Sequence, residues 1–298
     1  MRRRLYYCDL YPIPLPQGHK FPMEKYAQIR ALLEADGVYH LEPAPFAGTE
    51  TIELAHDSAY VRSFLHGSLD ARTLRRIGFP WSESLVRRTL ASVGGTLAAA
   101  RDALNSGIGG NLAGGTHHAF RSEGAGFCVF NDIAVAILAL RREGLIARAA
   151  VIDLDVHQGD GTAAIFEDDP EVFTFSMHGA NNFPFRKQRS RLDIELPDAT
   201  GDTQYLNRLT EALPVVAEFR PDLVIYQSGV DALQGDRLGR LSLSHAGLIA
   251  RDEAVLRFTK ENRIPVAITL GGGYGHPISS TAEAHANTFR TAAAVYAS

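Results

Sequence analysis

Asp153, Asp155 and His157 alternate within AAVIDLDVHQGDGT, at the end of an apolar run that reads as a buried strand. Side chains two apart on an extended segment project to the same side. Three groups able to bind metal or to hydrogen-bond therefore share one face. Charges packed that densely after an apolar run are costly to bury unless they are paired or hold a cation. His117 and His118 in GGTHHAF, Asp231 in SGVDAL and Tyr274 in LGGGYG extend the set. Together these residues predict a metal-dependent hydrolytic site.

Asp155 and His157 offer two ligands from one loop, and Asp231 offers a third after another strand. Two carboxylate oxygens and one imidazole leave positions open for water and a substrate carbonyl, which is how a catalytic zinc site differs from a closed structural one. Taken alone, Asp231 would more often cap a helix or a turn. Asp153 and Asp160 provide one carboxylate each to orient the tandem imidazoles, fixing the tautomer and favouring the imidazolium. The glycines before Tyr274 let the backbone pass close to a ligand, and a phenol held there can donate to a developing oxyanion. LGGGYG lacks the spacing and lysine of a phosphate-binding loop. Phe127 and Phe183 read equally well as walls of a narrow apolar channel or as plain core. Cys128, with no activating base assigned, reads as a small buried hydrophobe. His178 reads as a supporting group behind the site, and the remaining histidines as structural.

The elements that must position these residues follow from periodicity. Leu85, Leu90, Val93, Leu97, Ala100 and Leu104 keep near-helical spacing, predicting an amphipathic helix from Ser82 to Ser106. Further helices are expected at Pro22–Glu34, Ser58–His66, Asn131–Glu143, Thr203–Phe219, Ser244–Asn262 and Pro277–Tyr296. Short apolar runs at Ala150–Leu154, Val172–Ser176, Leu223–Gln227 and Val266–Leu270 read as strands. Their alternation with helices predicts an α/β fold, a three-layer sandwich around a mainly parallel sheet. DVHQGDG, SMHG, SGVDAL and GGGYG each follow one of these strands. Ligands of open parallel sheets bind outside the carboxyl ends of the strands, so the four clusters are expected on one rim.

The chain has 298 residues, 45% hydrophobic and 21% charged, with no linker-like stretch and no internal repeat; one domain over residues 1–298 is expected. A net charge of −4 argues against a general nucleic-acid-binding surface. The Arg2–Arg4 and Arg186–Arg191 runs read as solvated charge. Cys8 and Cys128 make no disulfide framework. No apolar run has transmembrane length and no signal-peptide core follows the first arginines, so a soluble cytoplasmic protein without membrane partners is expected.

GGTHHAF, GFCVFNDIAVA, DLDVHQGDGT, SGVDAL and LGGGYG, in that order and spacing, resemble the zinc-dependent histone deacetylase superfamily, which includes acetylpolyamine amidohydrolases and acetoin-utilisation proteins. The likeness runs from Gly114 to Tyr274, with weaker likeness in AHDSAY and RIGFPWS. RIGFPWS and DRLGRL are most similar to the class IV branch and its bacterial relatives. The resemblance implies an arginase/deacetylase-type sandwich. It implies one zinc per chain on Asp155, His157 and Asp231, and makes His118 general base and acid with Asp160 behind it. His117, supported by Asp153, would be its electrostatic partner, and Tyr274 would polarise the carbonyl. Phe127 and Phe183 would flank an acyl-lysine channel, with Gly126 lining it and Leu238 near its mouth. A potassium ion would have Asp153, Asp155, His157, Ser176 and Met177 as matching positions. Gln158 replaces a histidine found in many relatives. RIGFPWSES shows no clear counterpart of the entrance aspartate that grips the substrate backbone in other deacetylases. The implied substrate is an acetylated or longer-acylated lysine in a protein or peptide, or a small acylated amine such as an acetylpolyamine. A binuclear, arginase-like manganese site would need a second acid where Leu233 stands. A silent acyl-lysine-binding protein is the remaining alternative.

Overall fold

The computed structural model describes residues 3–297. Its strands are β1 (Arg4–Tyr7), β2 (His40–Pro43), β3 (Ile108–Asn111), β4 (Ala149–Asp153), β5 (Val172–Gly179), β6 (Leu192–Leu196), β7 (Leu223–Gln227) and β8 (Val266–Thr269). They form one eight-stranded sheet in the order β2-β1-β3-β8-β7-β4-β5-β6, and every pairing is parallel. The helices are α1 (Glu24–Asp36), α2 (Thr49–Ile52), α3 (Ser58–Leu65), α4 (Ala71–Ile77), α5 (Glu83–Ser106), α6 (Asp132–Arg142), α7 (Asp160–Ile165), α8 (Asp202–Glu218), α9 (His245–Glu261) and α10 (Ile278–Ala297).

Alternation along the strands divides the core into two apolar layers. Ile152, Tyr226 and Ile268 face the layer shared with α1, α8, α9 and α10. Val151, Ile225 and Ala267 face the layer shared with α5 and α6. Strands buried on both faces explain why β4, β7 and β8 are continuous apolar runs. The result is the expected three-layer sandwich. Helix α5 begins where the sequence predicts it, because the Ser82 side chain accepts a hydrogen bond from Leu85 N–H (3.1 Å). No helix among the described residues is long and apolar enough to cross a membrane.

All seven expected helices and four expected strands are present, with ends displaced by three residues or fewer. The sequence does not reveal β1, β2, β3, β6, α2, α4 or α7. Strand β3, IGGN, lacks the residues that favour strands, and its glycines serve packing instead. A Cβ on Gly109 would lie 2.0 Å from the Ala99 carbonyl oxygen of α5, and one on Gly110 would lie 2.6 Å from Phe289 of α10. The two helix layers close on β3 from opposite sides, and only glycine leaves them room.

Candidate active site

Strands β8, β7, β4 and β5 are neighbours, so the four polar clusters that follow them meet at one edge, as expected. GGTHHAF, after β3, joins them. Its loop is fixed by Asp132, whose carboxylate accepts from Gly115 N–H (3.0 Å), Thr116 N–H (2.7 Å), Thr116 Oγ1 (2.5 Å) and Thr96 Oγ1 (2.5 Å). Asp132 sits in the GFCVFND stretch but its role is not legible there, since its partners are 16 or more residues away.

Two buried histidine–carboxylate pairs result. His117 Nδ1 lies 2.7 Å from Asp153 Oδ2, and His118 Nδ1 lies 2.6 Å from Asp160 Oδ1. The rings are 4.1 Å apart between centroids. Both are taken from water, yet they titrate in opposite directions. For His117, burial opposes the charge but Asp153 and Asp155 outweigh it and raise the pKa to about 9. For His118, burial and the charge on His117 outweigh Asp160 and lower the pKa to about 4. The two imidazoles are thus shifted in opposite directions, an asymmetry that the matching His–Asp spacing does not disclose.

Asp155, His157 and Asp231 form a second buried group whose donor atoms all lie within 4.8 Å of one another. His157 Nδ1 is 3.0 Å from Asp155 Oδ1 and 3.1 Å from Asp231 Oδ2. The other carboxylate oxygens are held by backbone: Asp155 Oδ2 accepts from Gly272 N–H (2.7 Å) and Asp231 Oδ1 from Val156 N–H (2.9 Å). One oxygen of each carboxylate and one ring nitrogen thus converge. Burial and the charge of Asp155 push the Asp231 carboxyl up to about 7, the mark of a negative cluster that a divalent cation relieves. Two oxygens and one nitrogen suit zinc in an open site, so the residues fit the metal. Gln158, buried beside them, turns away and pairs with the backbone of Gln188 (2.7 and 2.8 Å). Ser176 lies opposite Asp153 in the β4–β5 register, and its Oγ is 2.9 Å from His178 Nδ1. Leu233 is buried in the apolar core.

Tyr274 is buried beside this group. Burial, Asp231 and Asp155 hold its phenol well above the ordinary range, so it keeps its proton. Two cavities meet here. An inner one of about 80 Å³ and an outer one of about 600 Å³ share His118, Gly126, Phe127, His157 and Tyr274. Phe183 stands edge-on to His118 (4.9 Å) and Phe127 is 6.0 Å from the Tyr274 ring, while Leu238 lines only the outer cavity. Phe127, left between wall and core by the sequence, lines both cavities, and Phe183 lines the outer one.

Sequence reasoning missed several supports. Asp236 accepts from Tyr274 N–H (2.6 Å), Leu238 N–H (2.8 Å) and Gly239 N–H (3.0 Å), joining the phenol to the mouth. It lies in DRLGRL, noted only as a motif. Lys25, from α1, is buried and its ammonium is 3.3 Å from the carbonyls of Gly271 and Gly273. Arg251 donates to the carbonyls of Gly229 (2.6 Å) and Ser228 (3.3 Å) behind Asp231 and pairs with Asp252 (2.8 Å). A lone lysine or arginine on a helix gives no sign in sequence that it turns inward.

The histone deacetylase domain model matches residues 19–291. An uncharacterized protein of Picosynechococcus sp. is 45% identical over 296 residues, 98% of each chain. Histone deacetylase 2 of Arabidopsis thaliana is 34% identical over 281 residues, covering 89% of this chain and 72% of that protein. The HDA15 HD domain superposes over 99% of this chain and 90% of its own with a TM-score of 0.80 at 22% identity, a likeness of fold.

Proposed function

This chain belongs to the histone deacetylase family, and from that premise we propose that it is a zinc-dependent deacylase, one catalytic domain that removes an acetyl or longer acyl group from the side-chain amine of lysine. Family membership supports deacetylase chemistry. The observation that carries the finer reading is the convergence, at the floor of one aromatic-walled channel, of the Asp155–His157–Asp231 group with the His118–Asp160 and His117–Asp153 pairs and with Tyr274.

Asp155, His157 and Asp231 would hold a single zinc ion, which when bound would supply Lewis-acid polarisation of water and of the amide carbonyl. His118, its Nδ1–H held by Asp160, accepts the proton of the attacking water at Nε2 and returns it to the departing amine. His117, kept charged by Asp153, stabilises the negative charge that develops beside it. Tyr274 donates its O–H to the carbonyl oxygen as that oxygen becomes anionic. Phe127 and Phe183 enclose the alkyl stem, and Gly126 leaves the space between them and His118. The same proposal includes a potassium ion behind the zinc loop at Asp153, Asp155, His157, Ser176 and Met177, where Ser176 of β5 pairs in register with Asp153 at the end of β4. RIGFPWS and DRLGRL support a place near the class IV branch.

The test is a panel of acetyl-lysine, longer acyl-lysine and acetylpolyamine amides, assayed on enzyme with one equivalent of zinc. Hydrolysis of acyl-lysine is expected. Asp231→Ala should lose metal and activity together, because one of three protein ligands is gone. Full zinc occupancy in that variant would remove Asp231 from the ligand set, and a reproducible two metals per chain would favour a binuclear site. Binding of acyl-lysine with no hydrolysis of any amide would make the protein a silent binder.

A further inference from the structure

The mouth of the channel carries the opposite charge to the rest of the chain. Arg75, Arg76, Arg237 and Arg240 line the outer cavity, and no aspartate or glutamate lines it among the described residues, in a chain whose net charge is −4. The arginines come from two sides. Gly126 N–H donates to the Arg76 carbonyl (3.1 Å) and Phe127 N–H to the Ile77 carbonyl (2.7 Å), which fastens the end of α4 outside the Phe127 wall. Across the opening, the Asn182 side chain donates to the Leu238 carbonyl (2.7 Å) and accepts from Arg240 N–H (3.2 Å), which fastens Arg237 and Arg240 outside the Phe183 wall.

The local carboxylates leave this charge only partly answered. Arg76 pairs with Glu123 (2.7 Å) and Arg240 with Asp198 (3.2 Å), all of them exposed. Arg237 donates to two backbone carbonyls, those of Tyr274 (2.7 Å) and Lys20 (3.3 Å). Asp236, next to it, is turned inward onto the backbone N–H groups of Leu238, Gly239 and Tyr274. Arg75 is exposed and has no carboxylate partner among the described residues. Beside them Phe185, 85% exposed, offers an apolar contact at the rim. An opening with this pattern concentrates anions and repels cations. Arginines outside both walls can be engaged together only by a substrate that extends to both sides of the entering side chain, as a peptide does and a single-tailed amine does not.

We propose that the substrate is an acylated lysine flanked on both sides by acidic residues in a peptide or protein, and that basic tails and polyamines are disfavoured. This rests on the deacylase reading above. The experiment compares three acetyl-lysine peptides of equal length, with Asp/Glu, Gly/Ala or Lys/Arg flanks, alongside an acetylpolyamine. It uses the full chain with zinc and the double variant Arg75→Glu/Arg240→Glu, with folding checked by thermal melting. The kcat/KM of the acidic peptide should exceed that of the basic one by about tenfold at low salt, the sum of a few exposed ion pairs. The ratio should shrink several-fold in 0.5 M salt, on the order of concentrations where screening lengths fall to a few Å. The double variant should reverse the order. Turnover of the neutral peptide with equal or better use of the basic peptide or the acetylpolyamine overturns the proposal and leaves the deacylase reading intact. So does a preference that the charge reversal does not move. If no peptide is hydrolysed, the deacylase reading falls and takes this one with it.

Discussion

Replacing Gly126 with alanine tests whether the channel wall and the base are in contact as described. Gly126 has φ +53°, and a Cβ there would lie 2.7 Å from His118 Cδ2, 3.2 Å from its Cγ and 3.3 Å from Phe183 Cε1. Ordinary carbon–carbon contact needs about 3.5–4.0 Å, so the imidazole must retreat by roughly 1 Å. Phe183, 37% exposed, has room to move. His118 does not, because its Nδ1 is tied to Asp160 at 2.6 Å. Misplacing a catalytic group by that much costs about 10²-fold in rate. The left-handed backbone adds strain of about 1–2 kcal/mol, a loss of a few degrees in Tm. Gly144→Ala isolates the strain, since Gly144 has φ +70° and nothing within 4 Å of its added Cβ. Gly126→Ala should thus lower kcat/KM on an acyl-lysine peptide by about 10²-fold with zinc content unchanged, whereas Gly144→Ala should lose similar stability and keep full activity. Steady-state rates, metal analysis and melting curves on both proteins settle it. A Gly126→Ala enzyme within about threefold of the parent would show that the His118 ring is not packed against this glycine.

His118→Ala should lose about 10²- to 10⁴-fold in kcat with zinc retained, and His117→Ala should lose less; at equal metal content, the opposite order would exchange their roles. Tyr274→Phe should cost on the order of 10²-fold in kcat with little change in KM, and a fully active variant would refute the oxyanion role. Arg251→Met leaves the Asp252 carboxylate buried with only the hydroxyls of Tyr226 (2.5 Å) and Thr288 (2.6 Å), so denaturant titration should show a loss of about 3–5 kcal/mol; an unchanged midpoint would mean that the pair adds nothing. Buried His56, held neutral with a pKa lowered to about 4 by burial, accepts from Asn131 N–H at Nε2 (2.8 Å) and faces the Phe120 carbonyl at Nδ1 (2.9 Å). The unfolded chain takes up this proton first as pH falls. The histidine's contribution is therefore complete above its unfolded value of about 6.5 and is lost down to about 4, at up to ~1.4 kcal/mol per pH unit. Melting curves of His56→Gln should be less steep in pH across that window, and an identical slope would refute the assignment.

Local patterns in the chain were enough to pick out the candidate polar groups and the sheet edge that presents them. Asp153, Asp155 and His157 share a face because strand side chains alternate, and the apolar runs before each polar cluster fix parallel strands whose carboxyl ends form one rim. Those are local rules, legible within a few residues. The same rules fail at β3, where Gly109 and Gly110 are dictated by α5 and α10 approaching from elsewhere in the chain. They fail again at Asp132, Asp236, Lys25 and Arg251, ordinary polar residues until the fold turns them onto backbone groups distant in sequence. The difference between His117 and His118 is likewise tertiary. Both have an aspartate partner at similar range, and the added field of Asp155 on one and of the neighbouring imidazole on the other shifts the two rings in opposite directions. Electrostatic energy depends on distance and burial, and neither is set by position along the chain until the sheet has closed over the site.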